Sequence, residues 1–401
     1  MQRKLQRPKQ ENEGIHDMNK SVFTSESVTC GHPDKVCDQI ADRILDEVLA
    51  QDPESHVACE VTACTDKVHI FGEITTDAKV DYEETARKVI ENIGYTRPGM
   101  GFDAESCRII VDLHAQSPDI ARGIRRNGVS DEALNSGAGD QGIMFGYACK
   151  QTDGLMPLPI ELAHALTKKL ENVRRSRELP YLLPDGKSQV TVEYEDQVPK
   201  RITTVVLSTQ HEPQIGINTL RNDVIERIIL PVLPKNMLDN NTRFYINPTG
   251  RFVEGGPAAD SGLTGRKIIS DTYGGYARHG GGAFSGKDAS KVDRSGAYMA
   301  RYMAKNIVAS GLADQCEVQL SYAIGLTDPI SIRVDTFGTG LLSDELICEK
   351  ICRNIDPRPA AIIRKFDLTS PNFSRVSCYG HFGSNAEHMP WESTDLKTII
   401  L

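Results

Sequence analysis

The segment 280–294 combines glycines, lysines and acids at a spacing that suits polyphosphate binding. From Gly281 it reads G-x-x-x-x-G-K, but Asp288 stands where a Walker A loop has Ser or Thr for magnesium. A glycine run lets backbone N–H groups approach an oxyanion, and two lysines four residues apart add positive charge. Asp293 adds a carboxylate that can hold a hard cation. The segment therefore predicts a polyphosphate site of a non-Walker kind.

A second segment, Gly-His-Pro-Asp-Lys at 31–35, stands just ahead of apolar residues at helical spacing. Pro33 suits a first helical turn, which places His32 and Asp34 at a helix N-terminus, where free N–H groups favour anions. The histidine can donate to a phosphate oxygen, and Asp34 can share a magnesium ion with the phosphate. Helix capping is the plain alternative for both residues.

The elements that must position these residues belong to a chain of 401 residues, for which two or three domains are expected. Its hydrophobic content of 39% and charged content of 25% are typical of a soluble globular protein. No apolar run approaches the roughly 18 residues of a membrane span. The net charge of −9 argues against nucleic acid or an anionic membrane as the main partner.

The N-terminus lacks the apolar core of a signal peptide and is interpreted as a disordered extension over 1–20, so a cytoplasmic location is expected. The ten cysteines contain no C-x-x-C pair, which favours buried reduced thiols over zinc. Cys348 and Cys352 have the spacing of one helix face.

Periodicity predicts the order helix-β-β-α-β three times, at a spacing of about 125–135 residues. The first copy has elements near 34–50, 56–62, 68–75, 81–93 and 107–114. The second has them near 158–175, 189–194, 201–209, 217–230 and 242–247. The third has them near 292–309, 315–324, 330–336, 343–354 and 359–366. We therefore expect an α+β fold of three similar domains, each a mostly antiparallel sheet covered by helices.

The domain bounds expected from this pattern are 21–118, 137–252 and 253–401, with segments that the domains can exchange. The polar stretch 119–136 is too long for a simple connection and is interpreted as a mobile lid.

Other polar groupings have plain structural alternatives. The glycine-rich turn 137–142 carries Asp140 but lacks the strand-then-helix context of dinucleotide binding. The stretch 184–187 is predicted as a β-turn, and 260–267 as a surface charge cluster. On the first hairpin, alternation places Glu60 and Glu73 opposite the apolar face, where two carboxylates can hold a cation or an amine or can simply be solvated.

Taken together, these segments resemble the S-adenosylmethionine synthetases, also called methionine adenosyltransferases. The resemblance runs in order from about residue 21 to 392 and includes the family's three similar domains. The motifs that carry it are Gly-His-Pro-Asp-Lys at 31–35, Gly-Ala-Gly-Asp-Gln-Gly at 137–142, Gly-Leu-Thr-Gly-Arg-Lys at 262–267 and Gly-Gly-Gly-Ala-Phe-Ser-Gly-Lys-Asp at 280–288.

The resemblance implies that the methionine sulfur attacks C5′ of ATP in line and that the expelled triphosphate is then hydrolysed to phosphate and diphosphate. It also implies two Mg²⁺ ions and K⁺ as cofactors, and a homo-oligomer (a dimer or a dimer of dimers) with active sites between subunits. A thioether needs no general base, so alignment and charge stabilisation must supply the rate. A catalytically inactive nucleotide-binding scaffold of the same family and an unrelated NTPase or kinase remain as alternatives.

The residues implied by the resemblance fall into four groups. Those expected to contact ATP or its phosphates are His32, Asp140, Asp185, Lys187, Arg251, Phe252, Asp260, Arg266, Lys267, Ala283 and Lys287. The catalytic set among the cations is His32, Lys187, Arg266, Lys267, Lys287 and Lys291. The methionine end is expected at Glu73, Gln116, Asp260 and Lys291. Asp34 and Asp293 are expected to bind Mg²⁺, and Glu60 is expected to bind K⁺.

The chain departs from the family pattern just before the 31–35 motif and in the turn of the first hairpin. Cys30 stands where an acidic residue is usual, and Cys64 and Asp66 replace a common lysine and glycine. None of the three is an implied ligand, so altered rate or potassium dependence is expected rather than lost chemistry. Cys30 is also a candidate for oxidation because it lies beside the helix of the implied site.

Overall fold

The computed structural model describes residues 19–115, 137–370 and 372–400. Gln116, the predicted lid 119–136 and residues 1–18 of the predicted extension lie outside the described residues. Lys20, expected to end that extension, is the first residue of strand β1 (Lys20–Val28).

The helices of the described residues confirm the amphipathic spacing of the sequence. They are α1 (Pro33–Leu49), α2 (Tyr82–Ile93), α3 (Leu158–Arg175), α4 (Ile217–Val224), α5 (Ile268–Asp271), α6 (Val292–Ala309), α7 (Asp344–Cys352) and α8 (Pro359–Phe366). Helix α4 continues through a π-helical turn (Ile225–Ile229) and one α-helical turn (Leu230–Val232). Short 3₁₀ turns occur at Lys235–Met237, Gly256–Ala258, Phe373–Arg375, Gly383–Ala386 and Pro390–Glu392. In the described ranges no helix has the length and apolar character needed to cross a bilayer.

The strands form three mainly antiparallel sheets. After β1 they are β2 (His56–Cys64), β3 (Lys67–Thr75), β4 (Arg108–His114), β5 (Gly142–Cys149), β6 (Leu182–Glu195), β7 (Val198–His211), β8 (Arg243–Ile246), β9 (Gly262–Leu263), β10 (Gln315–Tyr322) and β11 (Ser331–Asp335). The strand orders are β4-β3-β2-β9, β1-β6-β7-β8 and β11-β10-β5, and the pairs β3–β4 and β7–β8 are parallel.

Each sheet takes one edge strand from another repeat. Strand β1, which precedes α1, pairs with β6 of the second repeat. Strand β5, which precedes α3, pairs with β10 of the third repeat, and β9 of the third repeat pairs with β2 of the first. This strand exchange is cyclic, and it joins the three repeats through backbone hydrogen bonds as well as through side-chain contacts.

The strand predicted at 359–366 is wrong, because this segment is helix α8. Pro359 occupies the first helical turn, and Ile362 and Phe366, four residues apart, are buried on one face. The chain leaves the helix at Asp367, whose backbone is left-handed with φ of 49°. The third sheet is completed instead by β5.

The core is built around the long helices that each repeat supplies. Helix α1 packs on β2 and α2, α3 packs on β6 and β1, and α6 packs on β5 and β10. Nearly every residue of α6 is buried. Because the residues that begin α1 and α6 are also those with candidate chemistry, the core fixes both helix N-termini in place.

Candidate active site

The outer edge of β2 organises the site. One end of this edge pairs with β9, and Thr264 continues the pairing by donating its N–H to the Val61 carbonyl at 3.0 Å. The other end receives the glycine loop: Cys59 N–H donates to the Gly286 carbonyl at 2.9 Å, and Asp288 N–H donates to the Val57 carbonyl at 3.1 Å. One strand edge therefore aligns the segments 262–264 and 286–288.

The chain next to these two segments also comes into close contact, at residues just outside both ranges. Gly265 faces Ala283 so closely that a Cβ at position 265 would lie 2.5 Å from the Cβ of Ala283. The hydroxyl of Thr264 donates to the Glu60 carboxylate, which joins the predicted potassium ligand to the same segment. Burial raises the pKa of Glu60 above its usual value, although Thr264 and the nearby Lys287 oppose that effect.

The glycine loop is supported from below by a buried ion pair that sequence reasoning missed. Arg294 in α6 donates to both oxygens of Asp42 in α1, at 2.7 and 3.0 Å, and both side chains are fully buried. The same guanidinium donates to the carbonyl oxygens of Phe284 and Lys287, at 3.0 and 3.2 Å. Asp42 also accepts the Gly286 N–H at 2.9 Å.

The two lysines predicted on this loop are each paired with a carboxylate. Lys287 Nζ lies 2.7 Å from Asp293 Oδ2, and Lys291 Nζ lies 2.6 Å from Asp288 Oδ2. Asp288 is buried and accepts the Val57 N–H at 2.6 Å, so it fixes the loop to β2. This structural role accounts for an acid at the Walker Ser/Thr position.

His32 is the N-cap of α1, as its spacing indicates. Its Nδ1 accepts the Asp34 N–H at 3.2 Å, so in the neutral ring the proton resides on Nε2. Burial lowers the pKa of His32 to about 3, with Lys267 and Lys187 as further causes. At neutral pH the imidazole is therefore an uncharged donor through Nε2.

Asp34 connects this N-cap to the segment after β9. Its carboxylate pairs with Lys267 and accepts the Leu263 N–H at 3.0 Å. Burial acts to raise the pKa of Asp34, but these partners outweigh it and hold the pKa below its usual value. Helix capping, the plain alternative for the 31–35 segment, is therefore present at His32, and phosphate and magnesium binding by His32 and Asp34 stay predictions.

The predicted turn at 184–187 is wrong, because these residues lie inside β6. The pairing with β7 jumps from Leu182–His211 to Gly186–Thr209, which forms a bulge. Pro184 lies in this bulge, where its missing N–H costs no hydrogen bond between the strands. In the bulge, Asp185 accepts the Gly256 N–H at 2.9 Å, and burial raises its pKa to about 6. Lys187 follows on the exposed face, near enough to His32 and Asp185 to affect their pKa values.

A cavity of about 460 Å³ opens beside Lys267. Arg266 and Lys267 line it together with Glu26 and Gln189, which stand next to each other across the β1–β6 pair. Glu26 was not among the predicted ligands, although it lies in the polar stretch ahead of the 31–35 motif.

The structure does not join every predicted ligand into one cluster. Phe252 N–H donates to His211 Nε2 at 3.1 Å, and Arg251 lies near the same ring. Asp140 accepts the N–H of its neighbour Gln141. Over the described ranges, no hydrogen bond or ion pair links Arg251, Phe252 or Asp140 to the other predicted ligands.

Within the described residues, no hydrogen bond or ion pair joins Glu73 or Asp260, two residues predicted at the methionine end, to Lys287 or Lys291. Glu73 nevertheless stands opposite Ala58, whose backbone bridges to Lys287. Glu73 lies on the same face of the β2–β3 hairpin as Glu60 and pairs with His114 at 3.4 Å. Asp260 is exposed and donates its N–H to the Gly256 carbonyl at 3.2 Å, which places it near Asp185.

The carboxylates predicted as metal ligands do not form an all-protein cage. Across 19–115, 137–370 and 372–400, no group of three or more His, Cys, Asp or Glu side chains is arranged to hold a metal. Asp34 and Asp293 each offer a single carboxylate beside a lysine. Such a donor set suits Mg²⁺ that takes most of its ligands from phosphate oxygens and water.

Comparison with family models accounts for almost the whole described chain. Residues 20–118 match the N-terminal domain of S-adenosylmethionine synthetase, residues 135–252 match its central domain, and residues 254–393 match its C-terminal domain. The matches, in this order, imply a transferase of S-adenosylmethionine biosynthesis. On the strength of all three domains, the chain belongs to the S-adenosylmethionine synthetase family.

Proposed function

We propose that this chain is a methionine adenosyltransferase that converts ATP, L-methionine and water to S-adenosyl-L-methionine, phosphate and diphosphate. The observation that supports this most directly is the anchored glycine loop, with Lys287 and Lys291 on it and the neutral His32 and Lys267 across the β2 edge. A set of cations around a rigid loop suits a reaction whose leaving group is a triphosphate.

In the first step the sulfur of methionine attacks C5′ of ATP in line and the C5′–O bond breaks. The sulfur becomes a sulfonium, and the electron pair of the broken bond stays on the triphosphate. No proton has to be removed from a thioether, so the protein contributes alignment and stabilisation of the leaving charge. His32 donates from Nε2 to the oxygen that departs, while Lys187, Arg266, Lys267 and Lys287 hold the phosphates.

The lysine–aspartate pairs prepare the site for this anion. Without substrate, Lys267 and Lys287 are neutralised by Asp34 and Asp293. On binding a triphosphate, the lysines would exchange their carboxylate partners for phosphate oxygens. Asp34 and Asp293 would then be free to hold Mg²⁺, which would neutralise phosphate charge. Because each lysine is paired with a carboxylate, the protein avoids the free-energy cost of holding an unpaired, partly buried charge before the substrate binds.

Two Mg²⁺ ions held by Asp34 and Asp293 would neutralise charge on the triphosphate, and K⁺ near Glu60 would stabilise the arrangement of the surrounding loops. The fit rests on single carboxylates next to phosphate-binding lysines for Mg²⁺. For K⁺ it rests on a half-buried carboxylate held by the Thr264 hydroxyl.

In the second step water cleaves the triphosphate before release, with the same cations holding its ends. The methionine end is assigned to Glu73, Asp260 and Lys291, with Gln116 outside the described residues. The nucleoside end is assigned to Asp140, Asp185, Arg251, Phe252 and Ala283.

We infer a homo-oligomer, a dimer or a dimer of dimers, and the separation of the predicted ligands within one chain supports this proposal. Arg251, Phe252 and Asp140 are not bonded to the loop lysines within the described residues, as expected if one subunit's nucleoside residues serve the partner's phosphate loop. Ile269, an exposed apolar side chain that lines the cavity, agrees with a covered surface there.

A product assay with ATP, L-methionine, Mg²⁺ and K⁺ tests the proposal. Sulfonium product with equal phosphate and diphosphate, and without ADP, is the expected result. ADP formed without methionine would instead indicate an NTPase or kinase. ATP binding without turnover would indicate a nucleotide-binding scaffold.

A further inference from the structure

Two cysteine thiols meet beside the candidate site in a small hydrophobic cluster of their own. Cys30, Cys378 and Tyr379 form this cluster, separate from the main cores. Cys30 and Cys378 are largely buried, with 8% and 7% of each residue's surface exposed, so large reagents are hindered in the folded protein. The chain brings them together from positions near its two ends.

The backbone on both sides of the thiol pair is fixed. The Cys30 carbonyl accepts the side-chain amide of Gln39 at 2.8 Å, and the Cys378 carbonyl accepts that of Asn385 at 2.8 Å. Next to Cys378, the Ser377 carbonyl accepts Lys35 Nζ at 2.8 Å. The two thiols therefore meet as a defined pair rather than by chance motion.

The two thiols differ in acidity. A hydrogen bond with Cys378 lowers the pKa of Cys30, and Tyr379, whose hydroxyl lies 3.2 Å from Cys30 Sγ, acts in the same direction against the effect of burial. Burial raises the pKa of Cys378 well above its usual value, as does its pairing with Cys30. Cys30 is thus the nucleophile of the pair, and Cys378 keeps its proton.

We propose that Cys30 and Cys378 form a reversible disulfide when the protein meets hydrogen peroxide. The Cys30 thiolate attacks the peroxide O–O bond, which gives a sulfenic acid and releases hydroxide. The Cys378 thiol then attacks the sulfenic sulfur, forms the S–S bond and releases water. The two thiols lose two electrons and two protons, which reduce one peroxide to two waters. A dithiol reductant restores both thiols by exchange.

The disulfide would join the turn between β1 and α1 to the segment that follows Val376. The turn ends at His32, and the segment holds Lys35 through Ser377. Oxidation would therefore attach the N-terminus of α1 covalently to the C-terminal region of the chain.

Peptide mapping of the whole protein tests the disulfide without relying on activity. The protein is treated with limiting hydrogen peroxide and then unfolded in denaturant with iodoacetamide, so that every remaining free thiol is blocked. The digest is analysed by mass spectrometry before and after dithiothreitol. We expect a peptide pair that contains Cys30 and Cys378, has lost two hydrogens, and separates on reduction.

Cys348 and Cys352 supply an internal reference. They lie on one face of α7 and are half-buried, and a hydrogen bond with Cys352 lowers the pKa of Cys348 to about 7. Wild-type protein in which Cys348 is oxidised while Cys30 and Cys378 are both fully alkylated would overturn the proposal. So would Cys30 found as sulfinic acid beside an alkylated Cys378.

Two cysteine variants test which thiols form the cross-link. Cys378→Ser should abolish the cross-linked pair and let Cys30 proceed to sulfinic acid, whereas Cys352→Ser should leave the cross-link intact. A Cys30 cross-link to another cysteine in wild-type protein would also contradict the assignment. The peptide map detects the cross-link by mass and needs no enzyme activity. A failed product assay and a missing disulfide are therefore distinguishable results.

Discussion

Arg294 and Asp42 form a two-point ion pair, with N–O distances of 2.7 and 3.0 Å, directly beneath the glycine loop. They lie 252 positions apart in the chain. The same arginine holds two loop carbonyls, so the loop's shape depends on a contact that no local sequence pattern contains.

Arg294→Lys should lower the free energy of unfolding by about 2–3 kcal/mol, because a lysine keeps the charge but cannot supply the several donors of a guanidinium. It should also raise the KM for ATP, since the Phe284 and Lys287 carbonyls lose their donor. Urea unfolding and steady-state kinetics measure the two effects.

Arg301→Lys is the matched control for this prediction. Arg301 is equally buried, pairs with Glu392 at 2.8 Å, and donates to carbonyls away from the glycine loop. It should lose similar stability and keep the KM for ATP. Equal changes of KM in both variants would contradict a specific role for Arg294 in the loop.

Lys287→Gln should reduce kcat by about a hundred-fold or more, because the proposed leaving triphosphate loses a charge partner that it gains fully only in the transition state. Rates of sulfonium formation at saturating ATP and methionine measure this. Lys88→Gln, on the exposed face of α2, serves as the control and should retain the wild-type rate. An unchanged kcat in Lys287→Gln would remove this lysine from the catalytic set.

Gly286→Ala should displace the glycine loop from β2. The backbone at Gly286 has φ of +79°, and an added Cβ would lie 1.9 Å from the Cys59 carbonyl oxygen. Gly311 has a similar φ of +84° but nothing within 4 Å of an added Cβ, so Gly311→Ala isolates the cost of backbone strain, about 1–2 kcal/mol. Thermal unfolding and turnover should both show the greater loss in Gly286→Ala. Similar losses in both variants would mean that strain alone decides the effect.

His164 should make the protein less stable in acid. Burial lowers its pKa to about 3, and the positive charges of Lys35 and Lys168 act in the same direction. Above pH 6.5 the ring is neutral in the folded and unfolded states alike. Below that pH the unfolded state binds a proton that the folded state takes up only near pH 3, so stability falls as the pH falls.

At pH 5 this difference amounts to about 2 kcal/mol for one histidine. Urea unfolding at pH 7.5 and pH 5 measures how far the free energy of unfolding decreases. We expect this decrease to be smaller in His164→Asn than in wild type, by about 2 kcal/mol. Replacing the exposed His388 by Asn should leave the pH dependence unchanged. A wild-type slope in His164→Asn would show that other groups cause the acid sensitivity.

The sequence predicts the long amphipathic helices well because their burial repeats at the helical period. The spans predicted at 158–175 and 292–309 are those of α3 and α6. The pair Ile362–Ile363 in α8 misled the prediction, since β-branched residues favour strands when tertiary contacts are unknown.

Part of the candidate site can also be predicted from the local sequence. The position of His32 at a helix N-terminus follows from local chemistry, whereas the anchoring of the loop 280–288 to β2 is long-range and was not predicted. The strand exchange and the Asp42–Arg294 pair do not, because each joins residues whose partners lie in a different repeat. The bulge at Asp185 was also missed, since a Pro-Asp-Gly run signals a turn unless a neighbouring strand is known.

The strand exchange has a consequence for synthesis on the ribosome. The β2–β3 hairpin emerges early, but the residues that cover the outer edge of β2, 262–264 and 286–288, are translated roughly two hundred residues later. Until then the nascent chain carries an open strand edge of the kind that pairs with other chains. Slower translation after β3 should lengthen the time for which this edge is exposed. The yield of native protein should therefore depend on the rate of translation as well as on the stability of the folded protein.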